Sequence, residues 1–267
     1  MTEPIRSLDA RYYTDASVFE VECAGLLART WQFGCHASEV EGVGAYATFE
    51  IAGESLFAIR GRDEKIRVFY NVCQHRAHQL VSGSGTTRVV VCPYHAWTYE
   101  LTGELRAGPN LKAVDGFDKS SVCLTEVRVE EFLGFVFVNL DPDAAPMEDW
   151  FPGARAELEE WVPNWAALKP LEWVEIPENC NWKVSVENYS ECYHCSLNHP
   201  TFANGVVKPE TYDIQPQGMC LRHTTECQSL DQMTYDINSG FEHADEYSSW
   251  FLWPMVSFQV YPGNVLN

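Results

Sequence analysis

Basic residues are scarce in this chain. Eighteen Lys and Arg stand against 38 Asp and Glu, giving a formal net charge of −20 and a pI near 4.7. Nucleic acid as a partner needs the opposite balance, so the charge argues against it. Long apolar runs are missing too. No stretch reaches the roughly 18 apolar residues of a membrane helix, so no membrane partner is expected. The opening "MTEPIRSLDARYYTD" has no apolar core of the kind a secretory signal carries. A cytoplasmic protein with reduced thiols is the expectation, and its ten cysteines then suit metal ligation or buried thiols better than disulfides. Internal repeats and low-complexity tracts are absent as well. With 46% hydrophobic and 21% charged residues, the composition is that of an ordinary globular protein.

The hydrophobic pattern changes character along the chain. Phe19, Cys23, Leu26, Leu27 and Trp31 recur at helical spacing, which predicts a helix over 14–31 capped by Thr14 or Asp15. From about Val40 the runs are short and β-rich: "GAYATFEI", "SLFAIRG", "IRVFYNV", "TRVVVC", "WTYELTGELR" and "FLGFVFVNL". Turn residues such as "GRDEK" separate them. After the Pro- and Asp-rich "DPDAAPMEDWFPG", a short helix near Ala154–Trp161, a strand "LEWVEI" and a helix "WKVSVENYSECYHC" are predicted. That helix should stop by Asn198 to Pro200, because the residue before proline avoids the helical region. The fold class read from this order is α+β. Residues 1–37 form a helical segment packing on the C-terminal domain, 38–155 an antiparallel β domain, and 156–267 the first part of a helix-on-antiparallel-sheet domain.

The chemistry-bearing stretch of the β domain is "CQHRAHQLVSGSGTTRVVVCPYH". It pairs Cys73-x-His75 with Cys92-x-x-His95. A zinc knuckle is the bland alternative, but zinc fingers usually group two cysteines and then two histidines. Here each pair mixes one of each. A Rieske [2Fe–2S] cluster requires this mixture, since two thiolates hold one iron and two imidazoles the other. His78 falls outside the pairing and reads as a surface or supporting residue. Trp97 and Tyr99 alternate with His95, as cluster shields or as plain core.

A second constellation lies in "ENYSECYHCSLNHP". With His194 in the last helical turn and His199 just beyond, both imidazoles can converge on one ion. Two histidines and a carboxylate on one face of Fe(II) leave open positions for O2, the facial triad of non-haem iron oxygenases. Glu191 precedes His194 by three residues and so shares its helical face.

With both motifs present, the sequence resembles the oxygenase (α) subunits of Rieske non-haem iron oxygenases over nearly its whole length. The resemblance implies a [2Fe–2S] cluster at Cys73, His75, Cys92 and His95, and a mononuclear iron at His194 and His199. It implies Glu191 as an electron bridge from His194 to the cluster histidine, His95, of a neighbouring subunit, hence a homotrimer. It carries Asn188 over as an active-site asparagine, although the spacing is one residue short of the ring hydroxylators. O2 is the implied co-substrate, and NAD(P)H supplies electrons through a separate flavin- and ferredoxin-type reductase. The family's third iron ligand is an aspartate on a C-terminal helix. Asp213, Asp231, Asp236 and Asp245 come too early to be it, so the third carboxylate is expected outside this chain.

Most ring-hydroxylating members have aspartate where Glu191 stands. "NYSECYHC" is instead similar to the carnitine and glycine betaine monooxygenase branch, as is "SSWFLWPMVSFQVYPGN" to the former. A small quaternary or methylated amine is the expected substrate, hydroxylated next to nitrogen, with C–N cleavage or N-demethylation following. Trp250, Phe251, Trp253 and Tyr261 can offer cation–π faces to its head group, with core packing as the competing reading. The alternatives are an aromatic-ring dioxygenase and, from another class, an electron-transfer Rieske protein with an incomplete iron site.

Overall fold

The computed structural model describes residues 6–228, 233, 237, 240, 242–263 and 265–266. It divides into two compact units, Cys23–Ala144 and the combination of Met1–Glu22 with Ala145–Asn267. Both are built on antiparallel sheets, and the class is α+β.

The Cys23–Ala144 unit holds a seven-stranded sheet. Its strand order is Gln32–His36, Phe135–Asn139, Glu126–Phe132, Ile66–Tyr70, Glu54–Arg60, Ala45–Ile51 and Ser84–Thr86. Side chains alternate across a strand, and here both faces are buried. Leu56 and Ala58 point into one cluster with Val68, Val136 and Val138. Phe57 and Ile59 point into another with Phe69, Leu80 and Tyr99. This second cluster contains Cys73 and Cys92, so the packing that stabilises the sheet also fixes the two cysteine loops. Leu133 (φ 52°) and Gly134 (φ 82°) turn one hairpin, the doubly left-handed geometry that suits the twist of a two-residue connection. A smaller sheet of Val90–Val91, Thr98–Tyr99 and Leu105–Ala107 carries the second cysteine loop.

In the other unit, a five-stranded meander runs through Asp213–Gln217, Cys220–Glu226, Glu246–Leu252, Val256–Tyr261 and Val265–Leu266. The helix Trp182–Tyr189 is capped by the Asn181 side chain, which accepts from the Lys183 amide at 3.1 Å. Tyr189 joins it to the sheet, donating to Ser249 Oγ at 2.9 Å and packing on Phe251 at 5.2 Å. The N-terminal segment grips the same helix. Glu22 accepts from Lys183 Nζ at 2.7 Å and from Trp182 Nε1 at 2.9 Å.

Three expectations are corrected. The N-terminal helix runs only over Ala16–Gly25 before a 3-10 turn at Leu27–Arg29, since glycine weakens a helix interior. Asp15 does cap it, accepting from the Ser17 amide at 2.9 Å. "LEWVEI" is not a strand: Leu171, Trp173, Val174 and Ile176 are exposed, and no described strand pairs with them. A β pattern needs a partner for its backbone groups before it becomes a strand. The long helix over 182–195 breaks after Tyr189 and resumes as Cys195–Asn198 and Pro200–Gly205. Pro200 starts a helix rather than following one, because proline's missing N–H is harmless in a first turn.

Candidate metal centres

The two cysteine loops are conformational twins. In the first, the Ala77 amide donates to Cys73 O at 2.9 Å and the Cys73 amide to His78 O at 2.8 Å. In the second, the Ala96 amide donates to Cys92 O at 3.0 Å and the Cys92 amide to Trp97 O at 2.8 Å. Ala77 (φ 53°) and Ala96 (φ 55°) take the same left-handed position. The loops differ in where the histidine sits within this common turn, which is the origin of the unequal Cys–His spacings.

The turns bring His75 and His95 together, with ring centroids 4.9 Å apart. Trp97 stacks on His75 at 4.8 Å and 9°, and Tyr94 covers His95 at 3.7 Å. Cys73 and Cys92 are buried free thiols. The Tyr99 hydroxyl lies 3.2 Å from Cys73 Sγ and accepts from the Gln74 amide at 3.1 Å. Trp97 and Tyr99 therefore touch the cysteine–histidine set directly, and His78 lies at its edge, tilted over Tyr94 at 5.4 Å. His95 Nδ1 is buried without a hydrogen-bond partner among the described residues, and desolvation, followed by His75, Arg76 and His78, depresses the ring's basicity. A neutral imidazole nitrogen with no protein partner beside two buried thiols fits a [2Fe–2S] cluster with mixed ligands.

The second centre forms where the helix breaks. His194 and His199 face each other with ring centroids 5.1 Å apart. His194 Nδ1–H donates to Glu191 Oε1 at 2.5 Å, which leaves Nε2 for an ion and sets the tautomer, as carboxylates behind metal-binding histidines do. The other Glu191 oxygen accepts the Tyr193 amide. Burial opposes the Glu191 charge, but His194 and the Tyr193 amide outweigh it and hold its carboxyl below the usual value. Glu191 and His194 thus meet across a turn rather than along one helical face. Among the described residues no set of three His, Cys, Asp or Glu converges as on a single ion. A cluster iron needs only two protein ligands, and His194 with His199 could supply two of the three in a facial triad. Asp231 and Asp236 lie outside the described residues.

Cys192 and Cys195, flanking Tyr193 and His194, form a disulfide with Cα atoms 5.0 Å apart. This corrects, for this pair, the expectation that metal ligation or buried thiols explain the cysteines better than disulfides; their Cα separation is within disulfide reach.

A cavity of about 510 Å³ opens beside the two histidines. Its walls include Asn188, Glu191, His194 and His199, together with Tyr189, Phe202, Tyr212, Tyr247 and Tyr261. Burial raises the pKa of all four tyrosines, so their hydroxyls stay neutral. Of the four aromatics singled out in sequence, only Tyr261 lines this cavity. Trp250 is fully buried, its indole N–H held by Glu157 at 2.9 Å and its face taken by Arg222 at 5.2 Å. Phe251 lines a neighbouring cavity of about 790 Å³ that holds neither histidine, and Trp253 lines neither. The alternation of a strand sent Trp250 into the core side opposite the site. Tyr189, Phe202, Tyr212 and Tyr247 were missed. The only sequence signal for them is the clustering of tyrosines around the His194 helix and the strands that follow it.

Behind the cavity lies His223, fully buried, with Tyr212 Oη 2.8 Å from its Nδ1. Desolvation pushes His223 down to about 4 from its usual 6.5. The unfolded chain then binds an extra proton between those values, so stability rises with pH across the window. This contribution is complete above pH 6.5 and lost as pH falls through about 4. It is worth about 3 kcal/mol. Denaturant unfolding at several pH values should show a steeper loss in that window for the native chain than for His223→Gln, and equal slopes would contradict it.

Residues 30–118 match the Rieske [2Fe-2S] domain family, and residues 165–266 match the ring hydroxylating alpha subunit (catalytic domain) family. The chain belongs to the Rieske non-haem iron oxygenases, as an oxygenase (α) subunit, and is an oxidoreductase of the kind that uses a Rieske cluster, mononuclear iron, O2 and NAD(P)H through a separate reductase. It is 38% identical over 257 residues to the carnitine monooxygenase oxygenase subunit of Escherichia coli (strain K12), covering 96% of this chain and 68% of that protein. A solved quaternary ammonium Rieske monooxygenase superposes with TM-score 0.84 at 36% identity, over 95% of this chain and 68% of that one. The complex of such an enzyme with L-carnitine gives 0.82 at 36% identity, over 95% and 67%. Among the described residues no helix is long and apolar enough to cross a membrane.

Proposed function

We propose that this chain hydroxylates the carbon next to nitrogen in a small trimethylammonium compound of the carnitine or betaine type. The observation that carries the reading is the cavity beside His194 and His199, walled by four neutral tyrosines and Phe202. Such rings present negative faces to a quaternary ammonium, which cannot be satisfied by hydrogen bonds. No Lys or Arg lines the cavity among the described residues, and the −20 net charge steers a cation toward the protein.

In this reading Cys73, His75, Cys92 and His95 hold the cluster, and His194 and His199 supply two of the iron's ligands. When bound, the two groups supply electron transfer and O2 activation. Glu191 fixes the His194 ring by accepting its Nδ1–H, and its remaining lone pairs can accept from His95 of a neighbouring subunit in a homotrimer. The tyrosine walls hold the methylated nitrogen and, with Phe202, exclude water from the attacked carbon. Hydroxylation there gives a hemiaminal, which collapses to an aldehyde and a smaller amine. A cytoplasmic setting and a flavin- and ferredoxin-type reductase complete the proposal.

A screen of carnitine, betaines and aromatic acids with reductase and NAD(P)H tests it. Amine and aldehyde from a trimethylammonium substrate are expected. Oxidation of aromatic acids alone would replace this reading with a ring dioxygenase.

A further inference from the structure

His223 presents an asymmetric problem. Its Nδ1 meets the Tyr212 hydroxyl at 2.8 Å, while its Nε2 is buried with no hydrogen-bond partner among the described residues. The ring is neutral, so one nitrogen carries a hydrogen and the other a lone pair. Placing the hydrogen on Nε2 would bury an unsatisfied N–H, which proteins tolerate less readily than an unsatisfied acceptor. Placing it on Nδ1 leaves only a lone pair unmatched. The Ser248 hydroxyl fixes the His223 backbone by donating to its carbonyl at 2.9 Å, and Tyr189 and Tyr212 pack against the ring at 5.4 and 5.7 Å.

With Nδ1 protonated, His223 donates to the Tyr212 oxygen. The phenol hydrogen must then turn away from His223, and Tyr212 is a wall of the cavity that holds His194 and His199. Tyr189 and Tyr261 differ, because their hydroxyls already donate to Ser249 at 2.9 Å and to Gln259 at 3.0 Å. Tyr212 is thus a cavity tyrosine whose hydrogen is released by a buried neighbour.

We propose that Tyr212, oriented by His223, is a specificity-determining donor that binds the carboxylate of a zwitterionic substrate. This rests on the trimethylammonium reading above: the cavity takes a cationic head at its aromatic walls, and among the described residues it has no Lys or Arg for the acid end. A neutral hydroxyl can donate to the carboxylate without repelling the ammonium group nearby. Tyr212 selects the substrate, and His223 is a positioning residue that acts through it.

Calorimetric titration of the metal-loaded, oxidised protein, which binds without turnover, tests this. Three probes are used: γ-trimethylammoniobutyrate, butyltrimethylammonium and pentanoate. Tyr212→Phe should weaken the two carboxylates by about 10- to 100-fold, the range of a hydrogen bond to a charged group. Butyltrimethylammonium should change by less than about twofold, since the aromatic face remains. His223→Leu should reproduce the selective loss, and His223→Gln, whose amide can donate to Tyr212, should restore it. Equal weakening of all three probes by Tyr212→Phe, or of none, overturns the proposal, and so does a wild type that binds neither carboxylate. A selective Tyr212→Phe loss without one in a folded His223→Leu overturns the part of His223. If His223→Leu does not fold, the Tyr212→Phe comparison decides alone. Wild type that binds pentanoate but not butyltrimethylammonium sinks the trimethylammonium reading, while Tyr212→Phe with pentanoate still judges the donor.

Discussion

Glu191→Ala lowers product formation on the order of 100-fold while iron and sulfide content stay at the wild-type level. The expectation follows from what the carboxylate touches. One oxygen accepts His194 Nδ1–H at 2.5 Å and the other accepts the Tyr193 amide, so in the proposed site the side chain is not itself a ligand but sets the ring that would be one. Losing such a partner typically diminishes activity 10- to 100-fold, and here the proposed route for electrons into the iron site is lost with it. Two controls sharpen the result. Glu191→Asp keeps the charge on a shorter reach and should retain part of the activity. Glu191→Gln keeps an acceptor for His194 but not the charge, and should fall between aspartate and alanine. The measurement is product and NAD(P)H consumed per chain, beside metal analysis. Alanine turning over at the wild-type rate with full coupling would remove Glu191 from the electron path, and loss of iron from that variant would make its role structural.

The cluster loops were legible because they are local. Cys73 and His75, like Cys92 and His95, sit within single turns whose shape is set by a few residues, so spacing alone carries the geometry. His194 and His199 were legible for the same reason, although the chain between them is a separate short helix, Cys195–Asn198, and not the end of the longer one. The substrate walls were not. Tyr189, Tyr212, Tyr247 and Tyr261 come from one helix, one loop and two strands, and only the packing of the helix and loop on the sheet brings them together. Trp250 and Trp253 looked equally suitable in sequence, since an aromatic on a strand carries no mark of the face it takes. "LEWVEI" failed for a related reason: alternation states what a strand would bury, but not whether another strand is there to accept its backbone. The Cys192–Cys195 disulfide was hidden by an argument about compartment, which bears on where a protein resides and not on whether two sulfurs in one turn can meet.

Cys73→Ser abolishes the visible absorption of the Rieske cluster and takes iron from about three to about one per chain in a fully loaded preparation. Cys73 is a buried thiol, 2% exposed, in the core cluster that also contains Cys92, Leu80 and Tyr99. Serine preserves the packing volume closely, so the sheet should survive and the loss should be confined to the metal. Its hydroxyl is a poor replacement for a thiolate, the ligand type that iron–sulfur clusters need. The remaining iron should be the one at His194 and His199, because that centre shares no ligand with the cysteine loops. Tyr99→Phe separates ligand from neighbour. It removes the hydroxyl 3.2 Å from Cys73 Sγ without touching a ligand, so the cluster should assemble. Its reduction potential should drop, because a hydrogen bond to sulfur stabilises the more negative, reduced cluster. Circular dichroism for the fold, absorption for the cluster and metal analysis for the count read all three outcomes. An unchanged spectrum in Cys73→Ser would overturn the ligand assignment, and loss of the cluster in Tyr99→Phe would make the hydroxyl part of its assembly.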